Sequence, residues 1–319
     1  MILNVSQIRL GISRCLLGDQ VRYDGGHRRN AFLVEVLGNV VEWVPVCPEV
    51  EAGFGTPREP MRLVRGPRDP RLVTISTNRD LTRPLKDFSR CKNTLLGALD
   101  LSGYVFKKNS PSCGIEQVPV YNRSGRVTPN GIGLFARSFQ EHFPLIPITD
   151  EDRLTDQELR DNFLERVFCY HRWKTLARGP VTRKAVVEFH TLHKYLLLAH
   201  SRRHYQQLGR LLASADRDRP KDLIERYGIL FMKAVAVTAT VRKHVHVLQH
   251  ILGRFKDRLG AQEKAELAGV IGDYHRGRTP LIVPLTLIKH YVQIFDIGYI
   301  RDQVYLNPHP KELVLRNHV

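Results

Sequence analysis

The sequence predicts a two-part chain, an α/β domain with an open sheet over residues 1–150 followed by a mostly α-helical domain over residues 151–319. Three observations predict it. Short apolar runs alternate with stretches of helical spacing up to about residue 106. A stretch rich in prolines and acids, Glu-His-Phe-Pro-Leu-Ile-Pro-Ile-Thr-Asp-Glu-Asp over 141–152, has the texture of a junction. Beyond it, apolar residues recur mainly at helical spacing.

Each element follows from a local pattern. Residues 7–12 (Gln-Ile-Arg-Leu-Gly-Ile) read as a strand running into Ser13-Arg14-Cys15, and 40–46 (Val-Val-Glu-Trp-Val-Pro-Val) as a second running into Cys47. A third apolar run, 98–106, ends at Lys107-Lys108-Asn109-Ser110-Pro111-Ser112-Cys113-Gly114. Helical spacing over 30–38 and about 80–97 lies between them. This alternation is that of an open, Rossmann-like sheet, in which ligands bind beyond the carboxyl ends of the strands. All three cysteines are expected at that edge. In the second domain, Thr155-Asp156-Gln157-Glu158 reads as a capping box opening a helix through about Ala177, and Gly179-Pro180 stops it. Helical patterns follow over 183–215, 220–258, 261–274 and about 284–296, with Gly209, Gly253 and Gly260 near turns. No fixed-period repeat stands out, so a solenoid is not supported.

Composition bounds the function. A 42% hydrophobic and 25% charged chain of 319 residues is ordinary for globular protein and unlike a disordered one. Five widely spaced cysteines, an odd number, argue against a disulfide framework and for a reducing compartment. The first ten residues lack a signal-peptide layout and no apolar stretch reaches the length of a membrane span, so a cytoplasmic protein without membrane association is expected. The formal net charge of +17, carried mostly by arginine, attracts polyanions, of which nucleic acid is the commonest large one. The charge is uneven: residues 1–150 carry 20 Lys and Arg against 14 Asp and Glu, the remainder 29 against 18.

Cys15 in Ser-Arg-Cys-Leu-Leu-Gly, Cys47 in Val-Cys-Pro-Glu and Cys113 in Ser-Pro-Ser-Cys-Gly each stand in a turn-like segment with backbone-permissive neighbours. Three converging thiolates hold a cubane iron–sulfur cluster by three irons and leave the fourth open as a Lewis acid. Their spacing lacks the tight pairs of zinc ribbons and ferredoxins, so a catalytic thiol and inert packing stand beside shared metal ligation. Cys91 and Cys169 fall among large residues on helical patterns and are assigned to packing. Glu49, two residues after Cys47, is placed to act as a general base beside a metal-bound ligand, or is a plain surface glutamate. Ser110 and Ser112 are turn residues whose hydroxyls are candidates for donating a proton. Asp24, in Arg22-Tyr23-Asp24-Gly25-Gly26, is a turn carboxylate expected to border the pocket.

In the helical domain, His193-Lys194 and His200-Ser201-Arg202-Arg203-His204 mark a basic face, echoed by Arg242-Lys243-His244 with His246 and His250. Lys194, Arg202, Arg203, Arg242 and Lys243 are the candidate nucleic-acid contacts. His246 and His250 have the i, i+4 spacing of metal ligands, but without a nearby acidic or cysteine ligand a solvated or phosphate-facing surface is the better reading.

Ser-Arg-Cys-Leu-Leu-Gly with Arg22-Tyr23-Asp24-Gly25, Val-Cys-Pro-Glu with Glu51-Ala52-Gly53-Phe54-Gly55-Thr56-Pro57-Arg58, and Lys107-x-x-Ser-Pro-Ser-Cys-Gly resemble, in order and spacing, the thiouracil desulfidase (TudS) family over roughly residues 8–150. The remainder, with His-Lys-Tyr-Leu-Leu-Leu-Ala-His-Ser and the closing Gln-Val-Tyr-Leu-Asn-Pro-His-Pro-Lys-Glu-Leu-Val-Leu-Arg-Asn, is similar to a helical domain long classed as of unknown function. The fusion resembles the RudS-type tRNA 4-thiouridine desulfidases. That resemblance implies a 4Fe-4S cluster on Cys15, Cys47 and Cys113, with Glu49 and Ser110 catalytic and Ser112 nearby. It also implies hydrolytic removal of sulfur from 4-thiouridine in tRNA, giving uridine and hydrosulfide. No obligate protein partner is implied.

Three other readings remain. They are a desulfidase of free thiouracil or thionucleosides, with the helical domain serving dimerisation; a non-catalytic iron–sulfur RNA-binding protein or redox sensor; and a zinc-site protein.

Overall fold

The computed structural model describes residues 8–65, 70–122, 124–214, 219–310 and 313. The chain divides into two compact units, one ending at Asp156 and the other beginning at Gln157.

In the first unit the elements in chain order are β1 (Arg9–Ser13), β2 (Glu42–Val46), α1 (Pro48–Glu51), β3 (Met61–Val64), β4 (Arg71–Thr74), α2 (Thr82–Ala98), β5 (Leu101–Phe106), β6 (Val118–Tyr121), β7 (Val127–Gly131), α3 (Leu134–His142) and β8 (Ile148–Asp150). They build two sheets. The first is parallel, in the order β2-β1-β5-β8. The chain steps from β1 to one side for β2 and then to the other side for β5. The β1/β5 boundary is therefore the switch point where open sheets of this kind bind ligands. β5 is buried along its whole length, and Tyr104 stacks on Phe106 with ring centres 4.0 Å apart while both meet Phe135 and Phe139 of α3. Gly11 on β1 makes this possible, because a Cβ there would fall into the ring of Tyr104.

The second sheet was not anticipated from the sequence. β4-β3-β6-β7 is mixed, with β3 parallel to β6 and antiparallel to β4, and it closes on Leu63, Leu72, Leu85, Val118, Val120 and Leu134. Two other expectations shift. Residues 32–39 form a π-helical turn followed by a 3-10 turn rather than a regular helix, and the third strand begins at Leu101 because α2 continues to Ala98. Cys91 lies on the exposed side of α2 and is not a packing residue, whereas Cys169 is fully buried.

The second unit is helical as expected: α4 (Gln157–Arg178), α5 (Arg183–Leu192), α6 (Lys194–His200), α7 (Arg202–Ala213), α8 (Pro220–Val235), α9 (Val241–Leu252), α10 (Ala261–His275), α11 (Ile282–Ile294) and α12 (Gly298–Arg301). Side chains cap the starts of two of these helices. Thr182 accepts from the N–H of Ala185 to start α5, and Ser201, extended at φ −156°, accepts from the N–H of His204 to start α7. Gly209 sits inside α7 rather than at a turn. Thr155 belongs to a 3-10 turn, its hydroxyl donating to the carbonyl of Asp152, and α4 starts two residues later. Among the described residues no helix is long and apolar enough to cross a membrane.

Candidate active site

The carboxyl ends of β1, β2 and β5 bring the three cysteines to one edge. Cys15 stands in a 3-10 turn, Arg14–Leu17, that follows β1 directly. Its carbonyl accepts from the N–H of Arg28 at 2.8 Å, and Gly18 ends the turn at φ +108°, a conformation that favours glycine. Cys47 is the N-cap residue of α1, with Pro48 at the first helical position. The Glu51 carboxylate accepts from the N–H of Cys47 at 2.9 Å and is held by Lys92 at 2.7 Å.

Cys113 is presented by the loop after β5. Within it, the Ser110 hydroxyl oxygen accepts from the N–H groups of Ser112 at 3.2 Å and Cys113 at 3.1 Å. The first turn of α3 locks the loop from outside, since Leu134 N–H donates to the carbonyl of Pro111 and the N–H groups of Phe135 and Ala136 to that of Ser112. These are helix-end donors that would otherwise lack partners. Gly133 permits the approach: a Cβ there would stand 2.5 Å from the Ser112 backbone.

Each thiol is buried, and their charges act on one another. Burial pushes Cys15 up to about 11, with Cys47 adding to the rise. Cys47 is raised chiefly by burial, and Cys113 is raised well above an ordinary thiol by burial, with Glu49, Cys47 and Cys15 adding. The fit to an iron–sulfur group rests on two observations. First, three soft donors converge where their thiolates repel unless a positive centre lies among them. Second, the Tyr104 hydroxyl is fully buried and has no hydrogen-bond partner among the described residues. The anions that bear on that hydroxyl are Cys113, Glu51, Cys47 and Cys15. A group with acceptor atoms between the thiols would satisfy it. No set of three His, Cys, Asp or Glu among the described residues is arranged around a single ion, and a cubane spreads its thiolates over different irons.

Glu49, in the first turn of α1, is 13% exposed and engaged on both oxygens. Ser112 Oγ donates to Oε1 at 2.8 Å, and Arg58 Nη2 donates to Oε2. Arg58, 6% exposed, also reaches the carbonyls of Val21 at 3.0 Å and Gly55 at 2.9 Å, so one guanidinium ties two loops to the carboxylate. Each carboxylate oxygen keeps a free lone pair for a further donor.

The two serines are thereby separated. Ser112, fully buried, holds Glu49, whereas Ser110 is half-buried and its oxygen accepts two backbone N–H groups. Asp24 lies in an exposed turn, its carboxyl held below the usual range by the N–H of Gly26 at 3.0 Å and by Arg22. Arg58 and Tyr104 were not singled out by the sequence. Arg58 was visible only inside a motif, and Tyr104 reads there as an ordinary strand aromatic.

The second unit divides its basic residues between core and surface. His193 and His200 are each 1% exposed: His193 stacks on Phe189, and His200 Nε2 meets Glu165 Oε2 at 2.9 Å. Lys243 turns its ammonium onto the carbonyls of His200 at 2.8 Å and Thr238 at 2.9 Å. Arg202, Arg203, Arg242, His246 and His250 are exposed, and Lys194 is half-buried.

Residues 10–151 match the family model described as 2-thiouracil desulfurase, and residues 194–310 match that described as a protein of unknown function (DUF1722). The uncharacterized protein YbbK of Bacillus subtilis (strain 168) is 30% identical over 108 residues, 32% of this chain and 71% of that protein. The chain belongs to the 2-thiouracil desulfurase family. It carries a second domain as well, since the uncharacterized protein YbgA of Escherichia coli (strain K12) is 31% identical over 162 residues, 50% of this chain and 96% of that protein. A solved structure of a [4Fe-4S]-dependent thiouracil desulfidase, TudS, is 30% identical over 47% of this chain and 94% of its own, with a TM-score of 0.39. As a 2-thiouracil desulfurase family member the protein is a desulfidase of the thiouracil type, an enzyme acting on carbon–sulfur bonds.

Proposed function

We propose that the protein removes sulfur hydrolytically from 4-thiouridine in tRNA, giving uridine and hydrosulfide, with a 4Fe-4S cluster held by Cys15, Cys47 and Cys113. The observation that carries the desulfidase site is the largely enclosed Glu49 carboxylate fixed by Ser112 and Arg58 beside three buried thiols. The cluster, when bound through three cysteines, supplies an open, soft Lewis acid suited to a thiocarbonyl sulfur.

The protein's own groups do the rest. Glu49 takes the proton of the attacking water, its orientation fixed by donors on both oxygens. Ser110 donates to the departing sulfur side; its oxygen already accepts two N–H bonds, which polarise the O–H and improve it as a donor. Ser112 positions Glu49 and lies too deep to meet substrate. The net charge of +17 supports a polyanionic substrate, and the tRNA reading rests on it and on the resemblance of the two-domain fusion. A second reading, free thiouracil or thionucleosides, is favoured by the family description itself.

The deciding assay incubates anaerobically purified protein with thiolated tRNA and, separately, with free thiobases. Loss of 4-thiouridine with equimolar hydrosulfide, weakening steeply with added salt, is the expected result. Turnover of free thiobases alone moves the assignment to the second reading, and an intact cluster with no hydrosulfide from either substrate ends the enzymatic one.

A further inference from the structure

Two groups of cations lie outside the cysteine site, and they differ in what surrounds them. One lines a groove at β4 and the first half of α2, where Arg71, Arg83, Lys86 and Arg90 alternate with Asp80 and Asp87. Arg71 pairs with Asp80 at 3.3 Å, and Asp87 with Arg83 at 3.7 Å and with Arg90. A polyanion would have to displace those carboxylates.

The other group lies in the helical unit and gathers side chains distant in sequence. Lys194 Nζ stands 5.6 Å from the ring centre of Tyr195 and 5.9 Å from that of Tyr299. The guanidinium of Arg254, in the 3-10 turn after α9, stands 5.8 Å from Tyr299. The His246 and His250 rings meet at 4.6 Å. Burial lowers the proton affinity of His250, and the charges of His246, Lys194, Arg202 and Arg254 reach it and lower it further. Among the described residues, Lys194, Arg202 and Arg254 have no carboxylate at ion-pair distance. The acids flanking α12, Asp296 and Asp302, are held by Arg301 at 2.7 and 3.4 Å.

We propose that this face binds RNA, with Lys194, Arg202 and Arg254 on phosphates and the ring of Tyr299, 42% exposed, against an unstacked base. Unpaired cations interleaved with an exposed aromatic are the chemistry of single-stranded nucleic-acid sites. An acidic membrane surface calls instead for exposed Trp, Phe or Leu among the cations, and here the exposed aromatic is a tyrosine. The assignment narrows the sequence-based candidates: Lys194 and Arg202 belong to the face with Arg254 and Tyr299, whereas Lys243 is engaged with backbone. It deepens the tRNA reading above and rests on it for the identity of the polyanion.

The test is fluorescence anisotropy of labelled tRNA with the full-length, anaerobically purified protein. Circular dichroism melting checks the fold of each variant. Arg202→Glu/Arg254→Glu is expected to weaken binding at least about tenfold near physiological salt and to flatten the slope of log affinity against log salt by about two. Tyr299→Ala is expected to weaken binding about five- to tenfold with little change of slope. Lys184→Glu, reversing an exposed charge on α5, is expected to leave both unchanged. Wild-type affinity and slope in the folded double variant would overturn the proposal, as would an equal loss in Lys184→Glu. So would loss of binding to phosphatidylglycerol vesicles with tRNA binding intact. If charge reversal unfolds the unit, Arg202→Gln/Arg254→Gln carries the same expectations with a smaller slope change. Loss of tRNA binding as expected, in an enzyme that leaves 4-thiouridine untouched, keeps the surface and removes the substrate reading.

Discussion

The two units treat charge in opposite ways. In the sheet unit Glu49, two residues after Cys47 and 13% exposed, has both oxygens engaged, by Ser112 and Arg58. In the helical unit Lys194, Arg202 and Arg254 gather without carboxylate partners among the described residues, and both arginines are exposed. A general base must hold one direction to a fraction of an ångström, and fixed donors supply that. Capture of a polyanion needs field rather than angle, and pairing would cancel the field. On the proposed function, the paired carboxylate is the place of chemistry and the exposed, unpaired cations are the place of capture.

The sharpest way to break this contrast is at Glu49. Glu49→Gln keeps the shape and removes the base, so turnover is expected to fall about a thousandfold while the cluster's visible absorption and iron content stay at wild-type level. A variant that turns over normally would reduce Glu49 to a structural partner of Arg58.

The serines come next in size. Ser110→Ala is expected to lower kcat about a hundredfold, and Ser112→Ala about tenfold, because the first removes a proton donor and the second only one of two groups that orient Glu49. Iron content per chain, measured alongside, separates lost chemistry from a collapsed loop, since Ser110 also accepts from two N–H groups there. A larger loss in Ser112→Ala would exchange the two assignments.

What the sequence made legible follows the same division. The cysteine edge was readable because β1 and β2 run straight into Cys15 and Cys47, and a strand's end in a parallel sheet has a fixed meaning. The second sheet was missed for a physical reason. Its strands are four or five residues long and lie amid turns, so period-two alternation has no room to appear. One signal was present: Asn122 and Gly125 close the β6–β7 turn, with Asn122 Oδ1 accepting from the N–H groups of Ser124 and Arg126. Arg58 reaches Glu49 from nine positions further along the chain, a contact that no periodicity announces. The basic face was half legible. Helical spacing put His193 and His200 beside Lys194 and Arg202, but spacing cannot tell which side of a short helix is buried, and both histidines proved to be core.

Buried His193 and half-buried His190 give the smallest expected effect and a way to separate the units by pH. Burial holds His193 down at about 3, where it faces Arg172, and His190 down at about 4, where it faces Lys194 and lies against Tyr205 and Tyr227. Both values lie below the ordinary 6.5, so the unfolded chain binds more protons. The stability these histidines allow is present above pH 6.5 and is lost as pH falls toward the folded values. Between pH 6.5 and 5.5 the two together remove roughly 2 kcal/mol from the helical unit. The sheet unit contains His27 and His142 alone, both exposed, and its lowered carboxylates, Asp24, Glu59, Asp80 and Asp152, give way only at lower pH. The two tryptophans fall one to each unit, so Trp43→Phe leaves Trp173 of α4 to report on the helical unit and Trp173→Phe leaves Trp43 to report on the sheet unit. In urea, the Trp173 midpoint is expected to drop on passing from pH 6.5 to 5.5 while the Trp43 midpoint moves little. Equal shifts at the two reporters would mean that the units unfold together or that the buried histidines are already charged at neutral pH, and the contrast between the units would then not extend to their stability.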